Sequence, residues 1–294
     1  MKLSLAGTAL LAAALLTLGS SVATAGEPLV KAGQTVAFMG DSITQGGVSS
    51  PSGYVNLVKS GLAANGVEIK IIPAGISGHK SNDMRDRLDR DVLSKKPDWM
   101  TLSCGVNDVW HGARGVTLED YKTNINDILD RCAKANIRVM ILTATQIGPK
   151  VTDTANTKLD GYNAFLREQA RARNLPLADL NADMLAQQQA DEFAKITTPL
   201  TSDGVHMNHR GNIMMAKGVL KAFGLDDAQL AIADKAWRAI PDAVAVSSKA
   251  SLSLPEFEAL QALATSKKMT VDALLAERFT ATVKQLISEA PAKK

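Results

Sequence analysis

Short apolar runs alternate along the chain with longer stretches in which apolar positions recur every three or four residues. The short runs fall at 35–39, 68–72, 99–103, 137–143 and 175–179, and read as buried strands. The longer stretches, near 53–65, 82–94, 117–135, 156–173 and 209–223, carry helical period. Strand and helix repeated in this order predict a parallel sheet with helices on both faces. The right-handed crossover rule then leaves a five-stranded doubly wound sheet as the simplest topology. In such a sheet ligands bind beyond the carboxyl ends of the strands, so the loops that follow the strands are where chemistry is expected.

Both ends of the chain break this alternation. Lys2 precedes an apolar Leu/Ala run over 3–18, and Ala23-Thr24-Ala25 places small residues at −3 and −1. The segment 1–25 therefore reads as a secretory signal peptide cleaved after Ala25. A spanning helix fits less well, because Thr8, Thr17, Gly19 and the Ser20-Ser21 pair interrupt the run. The mature protein is expected in the periplasm or outside the cell. An α/β body is expected over 26–224. After it, helical stretches at 226–239, 253–265 and 270–288 are separated by Ile240-Pro241 and a Ser/Ala-rich segment. Ser253 and Glu256 outline a capping box, and Pro255 marks a helix start. The region 225–294 is expected to be a helical extension packed on the body rather than an independent module.

Composition narrows the possible functions. The 294 residues are 46% hydrophobic and 21% charged, with 33 Lys+Arg against 30 Asp+Glu. That balance fits neither a disordered chain nor a disulfide scaffold. No basic block marks a nucleic-acid surface, and no segment after the signal is long and apolar enough for stable membrane insertion. Cys104 and Cys132 are the only cysteines. Export would permit a disulfide between them, but Cys104 ends an apolar run and Cys132 lies in a helical pattern, so two buried free thiols are the preferred reading.

Four loops carry the candidate chemistry. The first strand runs into Gly40-Asp41-Ser42-Ile43-Thr44-Gln45-Gly46-Gly47, which puts a serine at the crevice, where its hydroxyl can meet a substrate and its N–H a developing oxyanion. A polar turn explains the segment equally simply, and the glycine spacings of phosphate-binding loops are missing. The second strand leads to Pro73-Ala74-Gly75-Ile76-Ser77-Gly78, where Gly78 can offer its N–H or merely serve a turn. The third ends at Cys104-Gly105-Val106-Asn107-Asp108, and the Asn107 amide is either a further oxyanion donor or a cap. Last comes Asp203-Gly204-Val205-His206, in which a carboxylate three residues before an imidazole can orient it as a base. The other histidines, His79, His111 and His209, read as surface or crevice residues. His206 with His209 lacks an evident third metal ligand, so neither metal nor cofactor is expected.

Taken in order, GDSI, AGISG, GVND and DGVH resemble the GDSL or SGNH hydrolase superfamily over about residues 35–223. The resemblance implies a three-layer α/β/α, flavodoxin-like doubly wound fold. It implies Ser42 as nucleophile, His206 as base, Asp203 as the acid that orients it, and an oxyanion hole from the Ser42 and Gly78 N–H groups with the Asn107 side chain. One departure is Pro73, which stands where the second block often has Asn.

The same resemblance implies an esterase for short acyl groups, foremost O-acetyl groups on carbohydrate, with a small-molecule or polysaccharide acyl ester as its partner. A lysophospholipase or thioesterase of the same superfamily is an alternative. A non-catalytic carbohydrate-binding or envelope interaction protein on this scaffold is a reading of a different class.

Overall fold

The computed structural model describes residues 26–148, 153–241 and 243–290. The expected signal peptide at 1–25 lies outside the described residues. The chain forms two compact units divided between Val244 and Ala245.

The first unit opens with β1 (Thr35–Gly40), α1 (Ser42–Ser49), α2 (Tyr54–Ala64), β2 (Lys70–Gly75), α3 (Ser81–Asp91) and β3 (Trp99–Ser103). It continues with α4 (Val106–Trp110), α5 (Leu118–Lys134), β4 (Arg138–Leu142), α6 (Thr154–Ala172) and β5 (Leu177–Ala178). It closes with α7 (Leu180–Phe193), α8 (His209–Ala222) and α9 (Asp227–Arg238). The five strands are parallel in the order β2-β1-β3-β4-β5, the flavodoxin-like order. Helix contacts form two groups, α3 with α5 and α5 with α6, and α2 with α8 and α9, which fits helices on both faces. Phe38, Met39, Met100, Leu102, Met140, Ile141 and Leu142 are wholly buried along the central strands, as expected for a sheet covered twice.

Strand order reverses between β1 and its neighbours β2 and β3, so the crevice opens at the carboxyl end of β1, just before Ser42. Pro73 pairs with Phe38 in β2, which is an edge strand, the position where a residue without an N–H is tolerated. Gly75 pairs with Gly40, and a Cβ there would fall 2.4 Å from the Gln45 nitrogen. The bare backbone of Gly75 is what lets the first turn of α1 sit against β2.

The first unit extends 20 residues past the expected boundary at 224, because α9 buries Leu230, Ala233 and Trp237. The Trp237 indole N–H donates to the Leu57 carbonyl in α2 at 2.8 Å. The second unit is the pair α10 (Leu254–Ser266) and α11 (Val271–Ser288). At its start the Glu256 carboxylate accepts from the Ser253 N–H at 2.7 Å and from its hydroxyl at 2.6 Å, with Pro255 in the first turn. Within it Ala264 and Leu274 are buried. No helix among the described residues is long and apolar enough to cross a membrane.

Candidate active site

Ser42 is the first residue of α1, and Asp41 caps that helix by accepting the Ile43 N–H at 2.9 Å. The first N–H groups of a helix lack intrahelical acceptors, and Ser42, as the first residue of α1, carries one of them. Asp41 itself is buried. Burial pushes its carboxyl from the ordinary 3.8 up to about 6, against the Ile43 hydrogen bond.

The segment between α7 and α8 brings the imidazole to this serine. An isolated bridge between Thr201 and Met207 and a Ser202 N–H to His206 carbonyl bond of 2.8 Å close the loop. Asp203 Oδ1 accepts the backbone N–H groups of Val205 and His206 at 3.0 and 2.8 Å. Its other oxygen lies 2.6 Å from His206 Nδ1, and His206 Nε2 lies 2.9 Å from Ser42 Oγ. Burial opposes ionisation of Asp203, but the hydrogen bonds from His206 and Val205 outweigh it and hold the carboxyl at about 2. An ionised carboxylate only accepts, so Nδ1 carries the proton and Nε2 is left to accept from the serine hydroxyl. Gly204 has φ of +92°, a conformation in which a side chain is strained, and its carbonyl accepts the Gly148 N–H at 2.8 Å.

The β4 loop beside it is clamped by α6. Asn163 bonds both the N–H and the carbonyl of Ala144, and Asn156 does the same for Ile147.

The loop after β2 joins the site through the Ile76 N–H, which donates to the Gly40 carbonyl at 3.1 Å, and the Ser77 N–H, which donates to Gln45 Oε1 at 2.8 Å. Gly78 follows with φ of +78°. Asn107 does not cap a helix; it sits inside α4 and donates through Nδ2 to the His79 carbonyl at 3.1 Å. The structure thus joins Ser42, His206 and Asp203 directly and sets Asn107 against the residue after Gly78. His79 is not a bystander, since its ring accepts Arg87 Nε at 3.1 Å. Arg87 escaped the sequence reading; the one available signal was an arginine on the apolar side of a helix beside Met84 and Leu88.

Cys104 and Cys132 are buried and free. Burial pushes both thiols up, that of Cys104 further raised by the neighbouring Asp108 and that of Cys132 to about 12, so neither is an activated nucleophile. Among the described residues no group of three His, Cys, Asp or Glu is placed to hold a metal ion.

A serine hydroxyl, an imidazole and a carboxylate in series at the carboxyl edge of a doubly wound sheet have the form of a serine-type hydrolase site. The chain belongs to the GDSL-like lipase/acylhydrolase family, whose model matches residues 38–212. It is similar to the acetylxylan esterase of Geobacillus stearothermophilus, 26% identical over 186 residues, 60% of this chain and 82% of that protein. The crystal structure of that enzyme superposes with a TM-score of 0.58 at 25% identity, over 67% of this chain and 97% of the other. The acetyl xylan esterase AlAXEase gives a TM-score of 0.59 at 34% identity, over 64% and 98% of the two chains. An uncharacterized lipoprotein of Bacillus subtilis is 24% identical over 201 residues, 60% of this chain and 79% of its own. The protein is a carboxylic ester hydrolase.

Proposed function

We propose that the protein is an exported esterase that removes short acyl groups, chiefly acetyl, from carbohydrate. The observation that carries this reading is the hydrogen-bonded series Ser42, His206, Asp203 at the crevice. Three solved structures of the Geobacillus acetylxylan esterase are catalytic mutants in which a serine, an aspartate and a histidine were each changed to alanine. Their aspartate and histidine are three positions apart, as Asp203 and His206 are here.

In this mechanism Ser42 Oγ attacks the ester carbonyl carbon while His206 Nε2 takes its proton. The carbonyl oxygen becomes an oxyanion held by the N–H groups of Ser42 and Gly78 and by Asn107 Nδ2. The alcohol leaves with the proton from His206, and an acyl group remains on Ser42. Water, deprotonated by His206, then releases the carboxylic acid and restores the serine. Trp110, half exposed and one turn from Asn107 on α4, supplies an aromatic face against which a sugar ring can stack.

The test is hydrolysis of p-nitrophenyl acetate, butyrate and octanoate beside acetate release from acetylated xylan, with wild type and Ser42→Ala. Acetate-selective turnover that reaches the polysaccharide and vanishes in Ser42→Ala is expected. Preference for octanoate would overturn the carbohydrate assignment, and full activity of Ser42→Ala would overturn the mechanism.

A further inference from the structure

The proposed mechanism asks three donors from three loops to converge on one oxygen, and one buried side chain touches the supports of all three. Arg87 projects from α3 and is 5% exposed. Its Nη2 donates to the Gly40 carbonyl at 2.8 Å, two residues before Ser42. Its Nη1 donates to the Ala74 carbonyl at 2.8 Å, in the strand that leads to Gly78, and to Asp91 Oδ2 at 2.9 Å. Its Nε donates to the ring of His79, the residue after Gly78, and the His79 carbonyl receives Asn107.

We propose that Arg87 is the positioning residue of the oxyanion hole and that it sets the Asn107 amide through His79. The inference rests on the reading of Asn107 as an oxyanion donor. A carboxamide has two N–H hydrogens. The His79 carbonyl engages one, which fixes the plane of the amide and directs the other toward the crevice. The residue bearing that carbonyl is held by its own N–H on the Ile76 carbonyl at 3.3 Å and, through its ring, by Arg87. Arg is suited to the task because its planar fork keeps five donors in fixed relative directions, which a lysine ammonium cannot do. Asp91 completes the support. Hydrogen bonds from Arg90 and Arg87, outweighing burial, keep its carboxyl at about 2, so it stays ionised beside the guanidinium.

The test compares His79→Phe and His79→Asn in wild-type and Asn107→Ala backgrounds, with kcat and KM measured on p-nitrophenyl acetate. His79 is half-buried, so these changes spare the core that Arg87→Ala would disturb. Phe keeps the ring and loses the acceptor; Asn restores an acceptor near the position of Nδ1. Removing an oxyanion donor costs about 100- to 1,000-fold in kcat, and a displaced one costs part of that. His79→Phe should therefore lower kcat about tenfold or more with KM little changed, and His79→Asn should recover most of the loss. In the Asn107→Ala background His79→Phe should have almost no further effect. An unchanged kcat in folded His79→Phe, or losses that multiply with Asn107→Ala, would overturn the positioning role alone. Full activity of Asn107→Ala would overturn the oxyanion reading itself, and the inference with it.

Discussion

The two halves of the site are built in opposite ways. On the sheet side, Ser42, Gly78 and Asn107 hang from the ends of adjacent strands, tied by ladder bonds and by a guanidinium buried among them. On the loop side, Asp203 and His206 have side chains 53% and 48% exposed, and their segment is held by bonds within the loop, by the Gly148 N–H and by the Asn212 amide of α8 on the Met207 carbonyl. An oxyanion hole stabilises charge only if its dipoles are fixed before the charge appears, which favours a rigid frame. A base that must pass a proton to a leaving alcohol and then to water needs access instead. In the proposed mechanism, rigidity is thus placed where electrostatics require it, and exposure where proton traffic does.

The largest effect is expected where the loop side depends on a single charge. Asp203→Asn keeps an oxygen for the Val205 and His206 N–H groups and loses the carboxylate that fixes the tautomer and supports the imidazolium. Turnover should fall by about 10³–10⁴ while substrate affinity changes little. Because the Asp203 carboxyl is held at about 2, it remains ionised throughout pH 4–8. The stability it contributes is present above the ordinary carboxylate value and is lost only as pH falls toward 2. A kcat profile that declines between pH 8 and 4 would then report another group. Retention of most activity in Asp203→Asn would break the contrast, since the loop would work by geometry alone.

The contrast also explains what could be read from the chain. The strand at 99–103 is matched residue for residue by β3, because an uninterrupted apolar run covered on both faces has few ways to fold. By contrast, β5 shrinks to Leu177–Ala178 at the sheet's far edge, where pairing is limited to β4. Three helices carried no legible period. α1 contains Gly46 and Gly47 and forms because Asp41 caps it and Gly75 seats it. α4 is a single short turn. α7 is rich in Gln, Asp and Ala, with few buried apolar positions to mark a face. The candidate residues were visible because each lies in a short motif with its own chemistry. Arg87 and His79 were not, since their significance comes from bonds to residues far away in sequence.

A smaller effect tests the rigidity of the sheet side through its cost. With the Asp41 carboxyl at about 6, the folded protein holds a proton between pH 4 and 6 that the unfolded chain has released. Stability therefore falls as pH rises through that window and levels off above it. At pH 7 the charge buried beside Ser42 costs about 3 kcal/mol. Asp41→Asn keeps a cap for the Ile43 N–H and removes the charge. It should be more stable than wild type by about 1–3 kcal/mol at pH 7, converging with it near pH 4, in denaturant titrations at both pH values. Equal stability at pH 7 would mean that the sheet side bears no such strain.

The smallest effect separates binding from chemistry. Changes to Asp203 and His206 should act on kcat, since Asp203 bonds the His206 ring and His206 in turn meets Ser42 Oγ. Trp110 stands on the sheet side, a turn beyond Asn107 and half exposed, where it can meet the alcohol part of a substrate. Stacking a sugar on an exposed indole contributes on the order of 1 kcal/mol, comparable to other aromatic contacts. Trp110→Ala should therefore raise KM for acetylated xylo-oligosaccharides about five- to tenfold and leave p-nitrophenyl acetate almost untouched. A matching loss on both substrates would mean that Trp110 acts through Asn107, as part of the frame. No change on either would move the sugar contacts elsewhere and leave the sheet side with the oxyanion task alone.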